Sequence, residues 1–125
     1  MFQRDYLLRV IQQAAEALAR ALRAIVARKD DEAEQALQEA YTALGIDREL
    51  LLLLDAPTLR SQLAAEEKVA MAARLLLGDA ELRHARGEPE AARRRLRAAH
   101  RLAEQLSEPD PELTAELARV RELCS

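Results

Sequence analysis

Apolar residues recur at steps of three and four positions through the first 28 residues of the chain. This spacing gathers them on one side of a helix with 3.6 residues per turn, while charged residues such as Arg9, Glu16 and Arg23 fall on the other sides. The pattern predicts a long amphipathic helix over residues 3–28. Its apolar stripe consists of Leu7, Ile11, Ala14, Leu18, Ala21, Leu22 and Ile25.

The amino-acid composition favours helices in the rest of the chain as well. Half of the residues are apolar, mostly Ala and Leu, and the only aromatic residues are Phe2, Tyr6 and Tyr41. The core of a β-sheet would be richer in Val, Ile, Thr and aromatic side chains, whereas Ala and Leu suit closely packed helices. We therefore predict an all-α fold.

Turn residues divide the chain into helical hairpins and connecting pieces. Gly45 is placed to end one helix, and Gly87 followed by Pro89 ends one helix and starts the next. Gly78 falls inside a predicted helix, at a cost of roughly 1 kcal/mol that is tolerable if another helix crosses closely there. We predict a single domain over residues 1–125, with a hairpin at 3–44, a linker of short helices at 46–63, a second hairpin at 65–106 and a capping helix at 110–123.

The second hairpin resembles a tetratricopeptide unit. Counting from Gly87, small, large and small residues stand at the fifth, ninth and twelfth positions, and a small residue stands seven positions before it; these are Ala92, Leu96, Ala99 and Ala80. The resemblance implies antiparallel helical hairpins that pack as a right-handed array or bundle. Three features depart from the family pattern: Arg83 replaces the usual aromatic residue, Lys29 stands where a turn glycine is typical, and the turns at Lys29 and Gly87 are 58 positions apart instead of 34.

The beginning of the chain carries a second resemblance. The opening MFQRDYLLR, together with Leu44-Gly45-Ile46-Asp47 and the leucine run that follows, resembles a family of small bacterial helical proteins. The similarity extends over most of the chain. It implies an all-helical fold and transfers no activity, cofactor or catalytic residue to this sequence.

Charge and cysteine content narrow the class of protein. The net charge of −3 argues against a general nucleic-acid binder, which is normally basic. The single cysteine, Cys124, excludes a disulfide within the chain, and the opening MFQRDY has no apolar signal core. The longest apolar run, residues 50–54, is far shorter than the ~20 residues that span a bilayer. We expect a cytoplasmic protein that has no membrane segment and does not act on nucleic acid.

No complete catalytic or metal-binding set is apparent in the sequence. Glu81 and His84 form one Glu-x-x-His motif, but metal sites in helical bundles need two such motifs, and His100 has Arg97 in place of the required glutamate. Cys124 has no histidine near it in sequence, and no pair of carboxylates has an evident reason to be buried. We therefore expect no catalytic residue, no metal, no cofactor and no enzyme. A small metal-binding or enzymatic protein that uses Glu81 and His84 is the alternative.

Arginines are concentrated around the second helix of the second predicted hairpin. Arg93, Arg97 and Arg101 repeat every four residues, and residues 81–101 hold seven arginines against three glutamates. One interpretation is a solvated face with ion pairs such as Glu90–Arg94. The other is a docking stripe for an acidic protein or a second copy, which makes the chain a non-catalytic adaptor or scaffold. An RNA-associated factor is a further alternative, although aromatic residues for base stacking are lacking.

The first helix is too long for its partner. Residues 3–28 span about 39 Å and residues 32–44 about 20 Å, so half of the first helix needs another cover. Either the leucine run or the second hairpin supplies that cover, or the chain forms a two-fold dimer through this half. The residues of this predicted self-association surface are Tyr6, Leu7, Val10, Ile11 and Ala14.

Overall fold

The computed structural model describes residues 2–125 and contains only α-helices as regular structure in this range. The all-α prediction is confirmed. The helices in chain order are α1 (Phe2–Val26), α2 (Asp30–Leu44), α3 (Arg48–Leu53), α4 (Ala56–Leu63), α5 (Glu66–Ala85), α6 (Pro89–Ala103) and α7 (Pro111–Leu123). No helix of the described part is both long and apolar enough to cross a membrane.

Two hairpins, α1–α2 and α5–α6, are closed by turns with the same backbone hydrogen bonds. In the second turn Gly87 has a φ of 75°, and the next amide, that of Glu88, donates to the carbonyl of Arg83 over 2.9 Å. In the first turn Arg28 has a φ of 60°, and the amide of Lys29 donates to the carbonyl of Ala24 over 2.9 Å. Arg28, and not Lys29, is therefore the structural equivalent of Gly87.

This equivalence changes how the first hairpin aligns with the second. Counted from Arg28, the small residue seven positions earlier and the small, large and small residues at the fifth, ninth and twelfth positions are all fully buried: Ala21, Ala33, Leu37 and Ala40. Ala80, Ala92 and Ala99 of the second hairpin are likewise fully buried, and Leu96 is half-buried. Small residues at these points let the two helices of each hairpin approach closely, so both hairpins share one packing pattern.

Helix α5 is the centre of the molecule. It packs against α1, α2, α4, α6 and α7, and its buried residues occupy most of its circumference. It approaches the first hairpin closely at Gly78, where an added Cβ atom would lie 2.7 Å from Cδ1 of Leu18 and 3.6 Å from Cδ2 of Leu37. The close crossing that would make Gly78 tolerable is therefore present.

The short helices and α7 begin with side-chain caps. Asp47, Asp55 and Asp110 accept hydrogen bonds from the amides of Glu49, Thr58 and Leu113 respectively, which satisfies donors that a helix start leaves free. Helices α3 and α4 pack on α6, and α7 packs on α5 and α6. The leucine run is buried unevenly: Leu51 is in the core, whereas Leu53 of the same helix is 73% exposed.

Candidate functional site

Asp79 is the one charged residue that is completely buried in the described chain. It lies on α5 directly after Gly78, and its neighbours one turn away, Leu75, Leu76 and Leu82, are apolar and fully buried. A carboxylate that is removed from water requires opposite charges and hydrogen-bond donors close to it. Helices α2, α3 and α6 supply these partners, together with the next turn of α5.

Four side chains surround the Asp79 carboxylate. The hydroxyl of Tyr41 donates a hydrogen bond to Oδ2 over 3.0 Å, and Nε of Arg95 lies 3.1 Å from the same oxygen. Nε of Arg83 is 3.3 Å from Oδ1, and Nε of Arg48 is 3.6 Å from Oδ2. We call these five residues the Asp79 cluster. Since Tyr41 and Arg95 come from α2 and α6, the cluster joins the two hairpins, and Arg48 ties in the short-helix linker.

Two further carboxylates balance the charge of the three guanidinium groups. Glu34 of α2 pairs with Arg48, with Oε1 and Nη1 2.5 Å apart, and also with Arg83. Glu88, in the turn before α6, lies 3.4 Å from Nη1 of Arg83. With Glu34 and Glu88 counted as its outer members, the Asp79 cluster has three positive and three negative side chains, so it is neutral in total and needs no external ion to compensate it.

Burial shifts the pKa of two members of the cluster, Tyr41 and Arg83. Burial, followed by the neighbouring Asp79 charge, raises the pKa of the Tyr41 hydroxyl well above its ordinary value, so Tyr41 remains a hydrogen-bond donor. The guanidinium of Arg48 lies 4.8 Å from the centre of the Tyr41 ring, a cation–π contact that packs the two side chains together. Burial lowers the pKa of Arg83, but guanidinium groups remain charged in proteins. The arrangement positions helices; it presents no activated nucleophile.

This cluster was not predicted from the sequence. No pair of carboxylates was expected to be buried, and Arg83 and Arg95 were grouped with the basic surface, whereas both side chains are only 12% exposed. A signal was present, because three of the four residues one turn away from Asp79 are leucines and the fourth is Arg83. An acid with such neighbours lies on an apolar side of its helix and is expected to be buried beside a positive charge.

Ion pairing divides the arginines around α6 into two groups. Arg83 and Arg95 belong to the Asp79 cluster, Arg86 pairs with Asp31 at 2.9 Å, and Arg93 pairs with Glu90. The paired partner of Glu90 is therefore Arg93 and not the expected Arg94. The remaining arginines of this stretch are exposed and have no acidic partner within residues 2–125; they are Arg94, Arg97 and Arg101.

Helical geometry places these three residues, which we call the α6 arginine face, close together. At 100° per residue, Arg94 and Arg97 lie about 20° and 40° on either side of the direction of Arg101, and the face extends over about 10 Å of helix. Of the predicted stripe, Arg97 and Arg101 belong to this face, whereas Arg93 lies about 80° from Arg101 and is held by Glu90.

Arg101 also lines a groove between α3, α4 and α6. The groove has a volume of about 400 Å³. Its apolar lining comes mainly from the leucine run of α3 and from the first turn of α4, and α6 adds Ala98 on the opposite side. The leucines of the run that line the groove are Leu51, Leu52 and Leu54. We call it the α3–α6 groove. An apolar floor therefore adjoins three unpaired positive charges.

The alternative site around Glu81 and His84 lacks further ligands. Glu81 forms an ion pair with Arg119 of α7, and His84 is exposed at the end of α5. His100 is exposed and lies 4.0 Å from Glu104. No group of three or more His, Cys, Asp and Glu side chains in the described residues is arranged to hold a metal ion.

Cys124 is packed against the core directly after the end of α7. It is 7% exposed, and burial, followed by the charge of Glu81, raises the pKa of its thiol. A raised pKa keeps the sulfur in the thiol form, which is a poor nucleophile.

The residues expected for self-association have unequal environments. Val10 and Ala14 are buried within the chain, where α1 packs on α5 as well as on α2. Leu7 and Ile11 are half-buried, and Tyr6 is 65% exposed. The second hairpin thus supplies much of the cover that the long first helix needs, and dimerisation through this face stays a prediction.

The Asp79 cluster and the α6 arginine face differ in one physical respect. The cluster is closed and neutral in total, whereas the arginine face is open to solvent and carries charge that the described chain does not balance.

Comparison of the chain with models of protein families, with curated proteins and with solved structures finds no match.

Proposed function

We propose that the protein is a non-catalytic adaptor or scaffold of tetratricopeptide-like hairpins that binds another protein through the α6 arginine face. One observation carries this proposal. Of seven arginines in residues 81–101, the four others are neutralised within the chain, while Arg94, Arg97 and Arg101 share one face and have no partner among the described residues. Electrostatic complementarity of this kind steers and orients a protein partner.

The packing of the hairpins supports the tetratricopeptide-like part of the proposal. With Arg28 as the turn residue, both hairpins have buried small residues at the same offsets from their turns, including Ala33 and Ala40 in the first and Ala92 and Ala99 in the second. The arrangement differs from a regular array, because α3 and α4 lie between the hairpins. This insertion provides one wall of the α3–α6 groove.

Co-purification tests the proposal. The tagged protein is expressed at its native level in its own source, and the proteins that co-purify are quantified for the wild type, for R94E/R97E/R101E and for the control R9E/R23E/R121E. The control reverses three other exposed arginines and changes the net charge by the same amount. We expect one protein in near-stoichiometric amount with the wild type and the control, and its loss from the first variant. No stoichiometric protein with any form, or equal recovery with all three, would contradict the proposal.

We also propose, from the sequence, that the protein is located in the cytoplasm and forms a homodimer through the exposed part of α1. For the dimer, sedimentation equilibrium of the purified protein is the direct measurement, and a mass of 14.0 kDa at micromolar concentration would exclude it.

A further inference from the structure

We infer that the partner segment recognised by this protein is an acidic amphipathic helix, with its apolar side in the α3–α6 groove and its carboxylates against the α6 arginine face. This inference rests on the proposed function and specifies the chemistry of the partner. It follows from the position of the unpaired charges relative to the apolar lining.

The groove and the arginine face form one continuous surface of α6. Ala98, Arg101, Glu104 and Gln105 line the groove, and at 100° per residue they lie within about 60° on either side of the direction of Arg101. The directions of Arg97 and Arg94 fall inside this same arc, about one and two turns closer to the start of α6 than Arg101. A segment that lies along the groove therefore reaches three guanidinium groups without a change of direction.

Charge is distributed unequally along this surface. Arg94, Arg97 and Arg101 extend over two turns of α6, whereas Glu104 lies just beyond the end of the helix and Asp55, across the groove, is engaged in capping α4. Arg101 has no ion pair within residues 2–125, and Glu104 lies at 4.0 Å from His100. The free charge is thus positive, and it complements carboxylates at one end of a bound segment.

The apolar lining of the groove favours a partner segment that has a row of apolar side chains beside its carboxylates. Leu52 and Leu54 are half-buried at the groove, and Leu50 and Leu53 on the same short helix are exposed. Leucine side chains gain free energy when a partner removes them from water. A helix with apolar residues at three- and four-residue spacing fills such a groove, which is a common mode of peptide recognition. An acidic segment without an apolar row would leave the leucines in water.

The test uses a designed peptide as the probe. A fluorescently labelled helix of about five turns carries leucines on one face and glutamates on the adjoining face, and its binding is followed by fluorescence anisotropy. Two control peptides have either the same composition in scrambled order or lysine in place of glutamate. The proteins compared are the wild type, R94E/R97E/R101E, the charge-matched R9E/R23E/R121E, and A98Q. Ala98→Gln introduces an uncharged, helix-compatible side chain into the groove.

We expect the amphipathic acidic peptide to bind the wild type and R9E/R23E/R121E alike. Its affinity for R94E/R97E/R101E and for A98Q should be lower by on the order of tenfold or more, because one variant repels the carboxylates and the other fills the groove. Neither control peptide should bind comparably. Circular dichroism confirms that the variants keep their helices, as is expected for exposed or half-buried positions.

Any of four results would overturn the inference. These are absence of peptide binding, equal weakening by both triple variants, an unchanged affinity of A98Q, and equal binding of the scrambled peptide or of an RNA duplex. A dimer of the protein alone that dissociates in R94E/R97E/R101E would assign the surface to a second copy instead. If the peptide fails while the co-purification experiment still yields a partner that depends on these arginines, the adaptor function stands and only the chemistry of the partner is wrong.

Discussion

Replacing Asp79 with asparagine removes the only negative charge at the centre of the Asp79 cluster and keeps the shape of the side chain. The guanidinium groups of Arg48, Arg83 and Arg95 would then have only two carboxylates left in the cluster, although Arg83 and Arg95 are each only 12% exposed. These carboxylates are Glu34 and Glu88, which lie at the margin of the cluster and are partly exposed. Removal of one partner from a buried ion pair typically costs about 3–5 kcal/mol. Since a small domain unfolds with about 5–15 kcal/mol in total, D79N should lose a large share of its stability.

Urea denaturation followed by circular dichroism measures this loss. Tyr41→Phe serves as a milder variant, because it removes one hydrogen bond to a charged acceptor, worth about 1.5–3 kcal/mol. Glu39→Gln is the surface control: Glu39 pairs with Arg20 at a half-exposed site, and its loss should change stability by less than about 1 kcal/mol. If D79N and E39Q lost equal stability, or if D79N and Y41F showed no coupling in a double-mutant cycle, the carboxylate would not be the organising charge of the cluster.

Two further predictions concern pH and close packing. The pKa of Tyr41 is raised in the folded protein, so on raising the pH this side chain loses its proton first in the unfolded chain. Below pH about 10 Tyr41 is protonated in both states and does not make the free energy of unfolding depend on pH. Above that pH the free energy of unfolding should fall by up to about 1.4 kcal/mol per pH unit. In Y41F this slope should be absent when unfolding free energies are compared between neutral and alkaline pH, and an identical slope in both proteins would argue against the assignment. At the helix crossing, Gly78→Ala should be more favourable in a Leu18→Ala background than in the wild type by at least about 0.5 kcal/mol, since the added Cβ meets Leu18 at 2.7 Å. If the changes in unfolding free energy caused by Gly78→Ala and Leu18→Ala were simply additive in the double variant, the contact with Leu18 would not be what restricts the side chain at position 78.

The helices could be predicted closely from the sequence because their ends depend on local residues. Asp47 and Asp110 cap helices at the predicted starts of the short-helix linker and of the capping helix, and Gly45 adopts the left-handed conformation that ends α2. The end of α6 differs from the prediction. It stops at Ala103 and not at Leu106, because the amides of Gln105 and Leu106 bond three residues back and tighten the chain into turns.

The buried cluster could not be predicted because its contacts are distant in sequence. Periodicity indicates which face of a helix is apolar, but α5 has buried apolar residues around most of its circumference, so its sequence indicates only a weak preferred direction. The inward position of Arg95 and the outward position of Arg94 depend on Asp79 and Tyr41, which other helices supply. The turn residue of the first hairpin was predicted at Lys29, one position after the residue with positive φ, Arg28. Glycine usually marks a left-handed turn residue in a sequence, and an arginine gives no such sign.

The single buried carboxylate of α5 has a consequence for alignment. A helix with leucine and alanine around most of its circumference could shift along its neighbours by one helical turn and still bury apolar surface. Such a shift would move Asp79 by about 5.4 Å along the helix axis, away from the hydroxyl of Tyr41, and leave its carboxylate among apolar side chains. The buried Asp79 therefore fixes the axial register of α5, because one register is much lower in energy than the next.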